Sequence, residues 1–190
     1  MSETGKTRGL MLLQDRKQKL RNMSLSALFL AASVIISIVE GISGVNAFIP
    51  LPGVRLGFCN IAVTACLYLV SAPYALAVAL IRPLFLFVFS GNPVSLAMSF
   101  CGGLVSYLSL IVTKRLYGKA LSFAGISCIS AVFHSIGQIA AAMMIMNDIA
   151  LVTYLPVFAA ASSVAGTISG AVMNLVLPRL SVLLKKGGAI

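Results

Sequence analysis

The chain has 190 residues, 59% of them hydrophobic and 9% charged, with a mean hydropathy of +1.05. A soluble domain of that composition would expose far too much apolar surface to water, so the chain belongs in a bilayer. A net charge of +10 would suggest nucleic acid in a soluble protein. Here the basic residues are clustered between apolar stretches, which argues instead for topology signals that contact anionic lipid headgroups, with no nucleic-acid partner.

Three clusters hold the basic residues other than Arg55 and Arg82: Lys6, Arg8, Arg16, Lys17, Lys19 and Arg21 in the N-terminal tail; Lys114, Arg115 and Lys119 in a short loop; and Arg179, Lys185 and Lys186 near the C-terminus. Lys and Arg resist translocation and gather on the cytoplasmic side. Four apolar stretches separate the first two clusters and two separate the second from the third. The expectation is an all-α integral membrane protein of six transmembrane helices with both termini in the cytoplasm.

In chain order, residues 1–22 form a basic cytoplasmic tail, and 23–190 form the membrane domain. Residues 9–23 mix Leu and Met with basic side chains, which predicts a short interfacial helix. Span one covers residues 24–42 and runs outward. An external loop follows at 43–57, where Pro50, Pro52 and several glycines exclude regular helix. It is the longest connection, and long ordered loops are commonly lids or binding loops. Val45-Asn46-Ala47 mimics a signal-peptide cleavage site, but the basic region before it is long and five further spans follow, so cleavage is not expected.

Span two, at 58–70, is short and ends at Ser71-Ala72-Pro73. Span three covers 74–90 and turns at Gly91-Asn92-Pro93. Span four covers 94–113, and span five covers 121–146 with Asn147-Asp148 as its external turn. Span six, at 151–182, should bend near Pro156 and Pro178. No internal repeat points to an inverted-repeat transporter.

Ionisable residues inside a membrane are costly and usually functional. Glu40, Arg82 and His134 are of this kind. Arg82 falls near the midplane of span three and His134 at comparable depth in span five, with Gln138 one turn further along the same face. Glu40 lies in the outer third of span one, Asn60 opens span two, and Arg55 is in the external loop. Together these six predict a polar substrate pocket facing the exterior and roofed by the 43–57 loop. Two arginines and a histidine suit a carboxylate or phosphate. The competing expectation is a structural network with a Glu40–Arg82 pair and His134 satisfied by a neighbour. Under the pocket reading Phe85, Phe87 and Phe89 could supply an aromatic wall, against the blander expectation of lipid-facing bulk.

Ala27 and Ala31 form a small-xxx-small pair on span one, as do Gly166 and Gly170 on span six, and such pairs let helix backbones approach closely. The glycine pair is read as packing inside the bundle. The cysteines Cys59, Cys66, Cys101 and Cys128 show no paired motif and read as small hydrophobes. Catalytic signatures are missing. Asp15 and Asp148 are the only aspartates, too few to cluster on a magnesium-diphosphate group; there is no P-loop, and one histidine does not make a zinc site. Gly41-Ile42-Ser43-Gly44 with His134 matches an intramembrane serine protease only at chance level. No catalytic residue, metal or cofactor is expected.

The run Ile49-Pro50-Leu51-Pro52-Gly53-Val54-Arg55-Leu56-Gly57-Phe58-Cys59-Asn60-Ile61 is distinctive, as are Leu80-Ile81-Arg82, Gly91-Asn92-Pro93-Val94-Ser95, Gly102-Gly103, His134-Ser135-Ile136-Gly137-Gln138 and Tyr154-Leu155-Pro156. In this order they resemble the Gx transporter family, also labelled heptaprenyl diphosphate synthase component I. That family is similar in architecture to the S components of energy-coupling factor (ECF) transporters. S components bind vitamin-like ligands beneath the first external loop and dock through an alanine-xxx-alanine motif onto a membrane coupling subunit driven by two ATPases. The resemblance implies a docking role for Ala27 and Ala31. It also implies a substrate-binding subunit for a small anionic or aromatic molecule in a bacterial cell membrane. The alternative is a non-catalytic membrane accessory subunit of prenyl diphosphate or quinone metabolism.

Overall fold

The structure, a computed structural model, describes residues 3–42, 55–118 and 121–186. Most of the expected external loop, residues 43–54, lies outside the described residues, as does Lys119. The described chain is helical: α1 Glu3–Ile42, α2 Asn60–Leu69, α3 Ala72–Ser90, α4 Pro93–Lys114, α5 Phe123–Met146, a 3-10 segment Ile149–Tyr154, and α6 Leu155–Lys186.

The turn residues read from the sequence act as helix starts and stops. α3 begins with Pro in its first turn and ends at Gly91, in the left-handed region at φ 62°, which glycine adopts without steric cost. The Asn92 side chain accepts from Val94 N at 3.0 Å and Ser95 N at 3.3 Å, capping α4. α5 stops at Asn147, also left-handed at φ 53°, and Asp148 then caps the 3-10 segment through Ala150 N at 2.9 Å. The bend expected at Pro156 is instead the junction between the 3-10 segment and α6. There Pro156 occupies the first turn, where its missing N–H costs nothing. Pro178 lies inside α6. The tail and span one form one uninterrupted helix of 40 residues, about 60 Å long, with no break where an interfacial helix was expected to end.

Five of the helical segments are long and apolar enough to cross a membrane. The expected second span is the exception. α2 has 10 residues, about 15 Å of helix against a hydrocarbon core of about 30 Å. Despite its length, α2 is the hub of the bundle, in contact with α1, α3, α4, α5 and α6, and eight of its ten residues are buried. Its C-terminus is level with that of α4: Lys114 Nζ donates to the Leu67 carbonyl at 3.0 Å and lies over the Tyr68 ring.

α5 packs between α4 and α6, α3 packs on α4, and α1 lies at the edge against α2 and α3. Glycines set the closest crossings. A Cβ on Gly137 would stand 2.8 Å from Gly102 Cα, and one on Gly170 would collide with Ala124 Cα. Gly166 and Gly170 therefore seat α6 directly on the α5 backbone, as the packing reading expected. Buried hydroxyls tie the same helices: Ser106 and Ser130 lie 2.7 Å apart between α4 and α5, and Ser135 bonds Ser162 between α5 and α6. Interhelical hydrogen bonds of this kind stabilise bundles in lipid.

Candidate binding site

Arg82 lies midway along α3, and its Nη1 donates to Cys59 Sγ at 2.7 Å. Cys59 immediately precedes α2, so α2 begins at mid-depth of the bundle. The lead-in residues 55–59 are non-helical and mostly buried. Irregular backbone at that depth needs protein partners for its N–H and C=O groups. Glu40 and Gln138 supply them. Glu40 Oε1 accepts from Leu56 N and from Gly57 N, the latter at 3.1 Å. Gln138 pairs with Arg55 at both peptide groups: Oε1 accepts from Arg55 N and Nε2 donates to Arg55 O, each at 3.1 Å. Gly57, at φ +92°, takes a backbone conformation closed to most side chains, and a Cβ there would also stand 3.2 Å from Asn60 Nδ2.

The Gln138 pairing also assigns a tautomer. With its oxygen committed to Arg55 N–H, Gln138 presents its amide nitrogen to His134 Nε2. His134 Nε2 must then be the acceptor, so the proton sits on Nδ1, which turns toward the Gly102 backbone without closing a bond of good geometry. His134 is therefore neutral. Gly102 and Gly103 make room for this centre. A Cβ on Gly102 would stand 2.8 Å from Gln138 Cγ and 3.0 Å from His134 Cε1, and one on Gly103 would stand 3.1 Å from Ala79 O and 3.7 Å from Arg82 Nη2.

All six residues expected to form the pocket converge here. Arg82, His134 and Gln138 are fully enclosed, and Glu40, Asn60 and Arg55 are 4%, 5% and 9% exposed. Among the described residues, six side-chain atoms of these residues have no hydrogen-bond partner: Glu40 Oε2, Arg55 Nη1, Asn60 Nδ2, His134 Nδ1, and Arg82 Nε and Nη2. The expected Glu40–Arg82 pair does not close. The two charges act on each other through space, while Arg82 bonds a thiol and Glu40 bonds backbone. Nε and Nη2 form one edge of the guanidinium, whose two parallel N–H groups match a carboxylate or phosphate edge. The positive end of the α2 dipole adds to the field at the same depth.

Cys59, read from the sequence as a small hydrophobe, is a polar contact of Arg82. Its place between Gly57 and Asn60 in the distinctive run was the available signal. Gly102 and Gly103 were noted only as part of a resemblance, and their role as clearance appears only once α3, α4 and α5 are packed.

Ala27 and Ala31 lie elsewhere. α1 turns Ser26, Ser33, Ser37 and Glu40 inward, while Ala27 and Ala31 are exposed. They line an apolar groove of about 500 Å³ between α1 and α3, together with Phe85 and Phe89. Phe85 and Phe89 thus face this groove and are not a wall of the polar centre. The Gly-x-Ser-Gly match, read as chance from the sequence, has its serine outside the described residues. Among the described residues, no group of three or more His, Cys, Asp or Glu side chains could hold a metal ion.

The fold and this centre define a membrane-embedded helical bundle enclosing charged and amide side chains at mid-depth. The family model for heptaprenyl diphosphate synthase component I matches residues 29–176, and the chain belongs to that family. The match begins on α1, just beyond Ala27, and takes in every residue of the polar centre. No curated protein and no solved structure matches the chain.

Proposed function

We propose that this chain is the substrate-binding subunit of an ECF-type transporter, taking up a small vitamin-like molecule with an acidic group. One observation carries the reading. Arg82 is fully enclosed and, among the described residues, keeps a complete guanidinium edge without a partner. A purely structural arginine at mid-depth would be expected to have that edge satisfied, because unpaired buried charge is strongly destabilising. A half-length helix that starts at mid-depth beside a cation is also the arrangement transporters use to receive anionic substrate groups.

In this reading the chain crosses the bacterial cytoplasmic membrane six times with both termini inside. Residues 55–59 and α2 together make the second crossing. The helix supplies about 15 Å of that crossing, and the turning lead-in before it is carried by Glu40 and Gln138 in place of helical hydrogen bonds. Substrate enters from outside past the 43–57 segment. Ala27 and Ala31, on the exposed side of α1, dock onto a membrane coupling subunit driven by two ATPases. No residue is assigned a catalytic role.

The family description favours a second reading, a non-catalytic membrane accessory subunit of prenyl diphosphate or quinone metabolism. One experiment separates the two. The tagged chain is purified in mild detergent from the native bacterium, with partner proteins and bound small molecules identified by mass spectrometry. A coupling subunit and two ATPases support the transporter. Ala27→Trp and Ala31→Trp should each remove those partners while leaving bound small molecule in place. Recovery of a soluble prenyl synthase instead, with prenyl diphosphate output depending on this chain, would overturn the transporter reading.

A further inference from the structure

We infer that the polar centre is built for a small monoanion that also carries a hydrogen-bond donor: one acidic group on the free edge of Arg82, and one O–H or N–H on Glu40 Oε2. The inference rests on reading this centre as a substrate site, and deepens it.

The charge balance sets the first half. Two guanidiniums, Arg55 and Arg82, face one carboxylate, Glu40, and the three act on one another electrostatically. His134 is neutral because its Nε2 accepts the hydrogen bond from the Gln138 amide nitrogen. Residues 43–54 contain no ionisable side chain, so the lead-in to α2 adds no further charge. With Glu40 ionised and Cys59 a thiol, the centre carries one excess positive charge, which a single anionic group neutralises. A diphosphate or dicarboxylate would overshoot it, and a cation would add to it.

Hydrogen-bond inventory sets the second half. Among the described residues, the unpartnered nitrogens Arg55 Nη1, Asn60 Nδ2, His134 Nδ1, Arg82 Nε and Arg82 Nη2 are all donors, the complement of an acidic group's oxygens. Glu40 Oε2 is an acceptor, and the side chain is 4% exposed. Its other oxygen is held by Leu56 N and Gly57 N, which fixes where Oε2 can point. A ligand made only of acceptors would leave Oε2 buried, unpaired and facing an anion. A ligand with a hydroxyl or amide donor would satisfy it.

The test uses the full chain in lipid nanodiscs and a panel of similar size. The probes are benzoate, the three hydroxybenzoate isomers (which move the donor around the ring), benzyl phosphate as a dianion and benzylamine as a cation. Binding is read by titration of thermal stability. At least one hydroxybenzoate should bind about tenfold or more tightly than benzoate, the difference a hydrogen bond to a charged group makes. Glu40→Gln keeps an acceptor for Leu56 N and Gly57 N but replaces Oε2 with a donor, so it should erase that advantage while retaining benzoate. Arg82→Lys keeps the charge but loses the fork, and should weaken every carboxylate by about tenfold. Tightest binding by benzyl phosphate or benzylamine, or no preference for a hydroxyl in the wild-type chain, would overturn the inference while leaving a ligand site. Failure of all the probes to shift the wild-type chain would overturn both the inference and the substrate-site reading. The wild-type ranking decides the matter even if a variant fails to fold.

Discussion

Replacing Arg82 by methionine separates a binding residue from a structural one, because the two roles predict opposite signs. Arg82 is fully enclosed; its Nη1 bonds Cys59, and its Nε and Nη2 bond nothing among the described residues. Removing the guanidinium forfeits one hydrogen bond, about 0.5–1.5 kcal/mol, and relieves two unpaired donors at about 1–3 kcal/mol each. Glu40 and Arg55 remain, one negative and one positive charge. Methionine fills a similar volume with flexible apolar atoms. Hydrophobic replacement of buried charged groups is often neutral or stabilising by about 1–4 kcal/mol. The ligand-free Arg82→Met chain should therefore be more stable than wild type by about that amount, or about 2–4 °C in Tm per kcal/mol at this chain length. It should also lose acidic ligands. The chain has no Trp, but Cys59 and Cys66 are buried free thiols, so a thiol-reactive fluorophore added during a thermal ramp reports unfolding. A fall in Tm equivalent to about 3 kcal/mol or more, the cost of breaking a paired buried charge, would show that Arg82 holds the fold and would refute the binding argument.

Gln138→Leu strands the Arg55 N–H and C=O, each at about 1–3 kcal/mol; a loss of about 2–6 kcal/mol is expected, with faster hydrogen exchange at the Arg55 amide, and unchanged exchange would show that the pairing does not hold this segment. Gly57→Ala forces a side chain into a positive-φ position and should cost about 1–3 kcal/mol, seen as a lower Tm and weaker ligand retention. Gly170→Ala places a methyl against the Ala124 backbone and should destabilise the α5–α6 contact by about 1–3 kcal/mol, lowering Tm without changing the preference among ligands.

Much of this was legible in the amino-acid sequence because lipid makes strong demands on it. Charge is costly in hydrocarbon, so Glu40, Arg82 and His134 stood out against long apolar stretches, and their depth followed from helix rise. Turn chemistry placed the breaks at Gly91-Asn92-Pro93 and Asn147-Asp148 because glycine, asparagine and proline satisfy or remove particular backbone groups. The reading was incomplete at α2, where residues 58–70 are apolar enough to suggest a helical span, yet the helix covers only Asn60–Leu69. Hydropathy records how well a segment tolerates lipid, not whether its backbone bonds within itself. Residues 55–59 are held by Glu40 and Gln138, which lie 15 or more positions away in the chain.

What the sequence alone determined, then, is membrane residence, helical class, the main helix boundaries and the identity of the buried polar side chains, all of which depend on local composition and on transfer from water. Only the tertiary structure decided which atoms of those side chains are spent on the fold and which are left over. That division turns on which partner lies within about 3 Å, a property of packing between distant segments. It is why, among the described residues, Glu40 is half clamp and half unpaired acceptor, why Gln138 serves the backbone and sets the His134 tautomer, and why one edge of Arg82 is left without a partner.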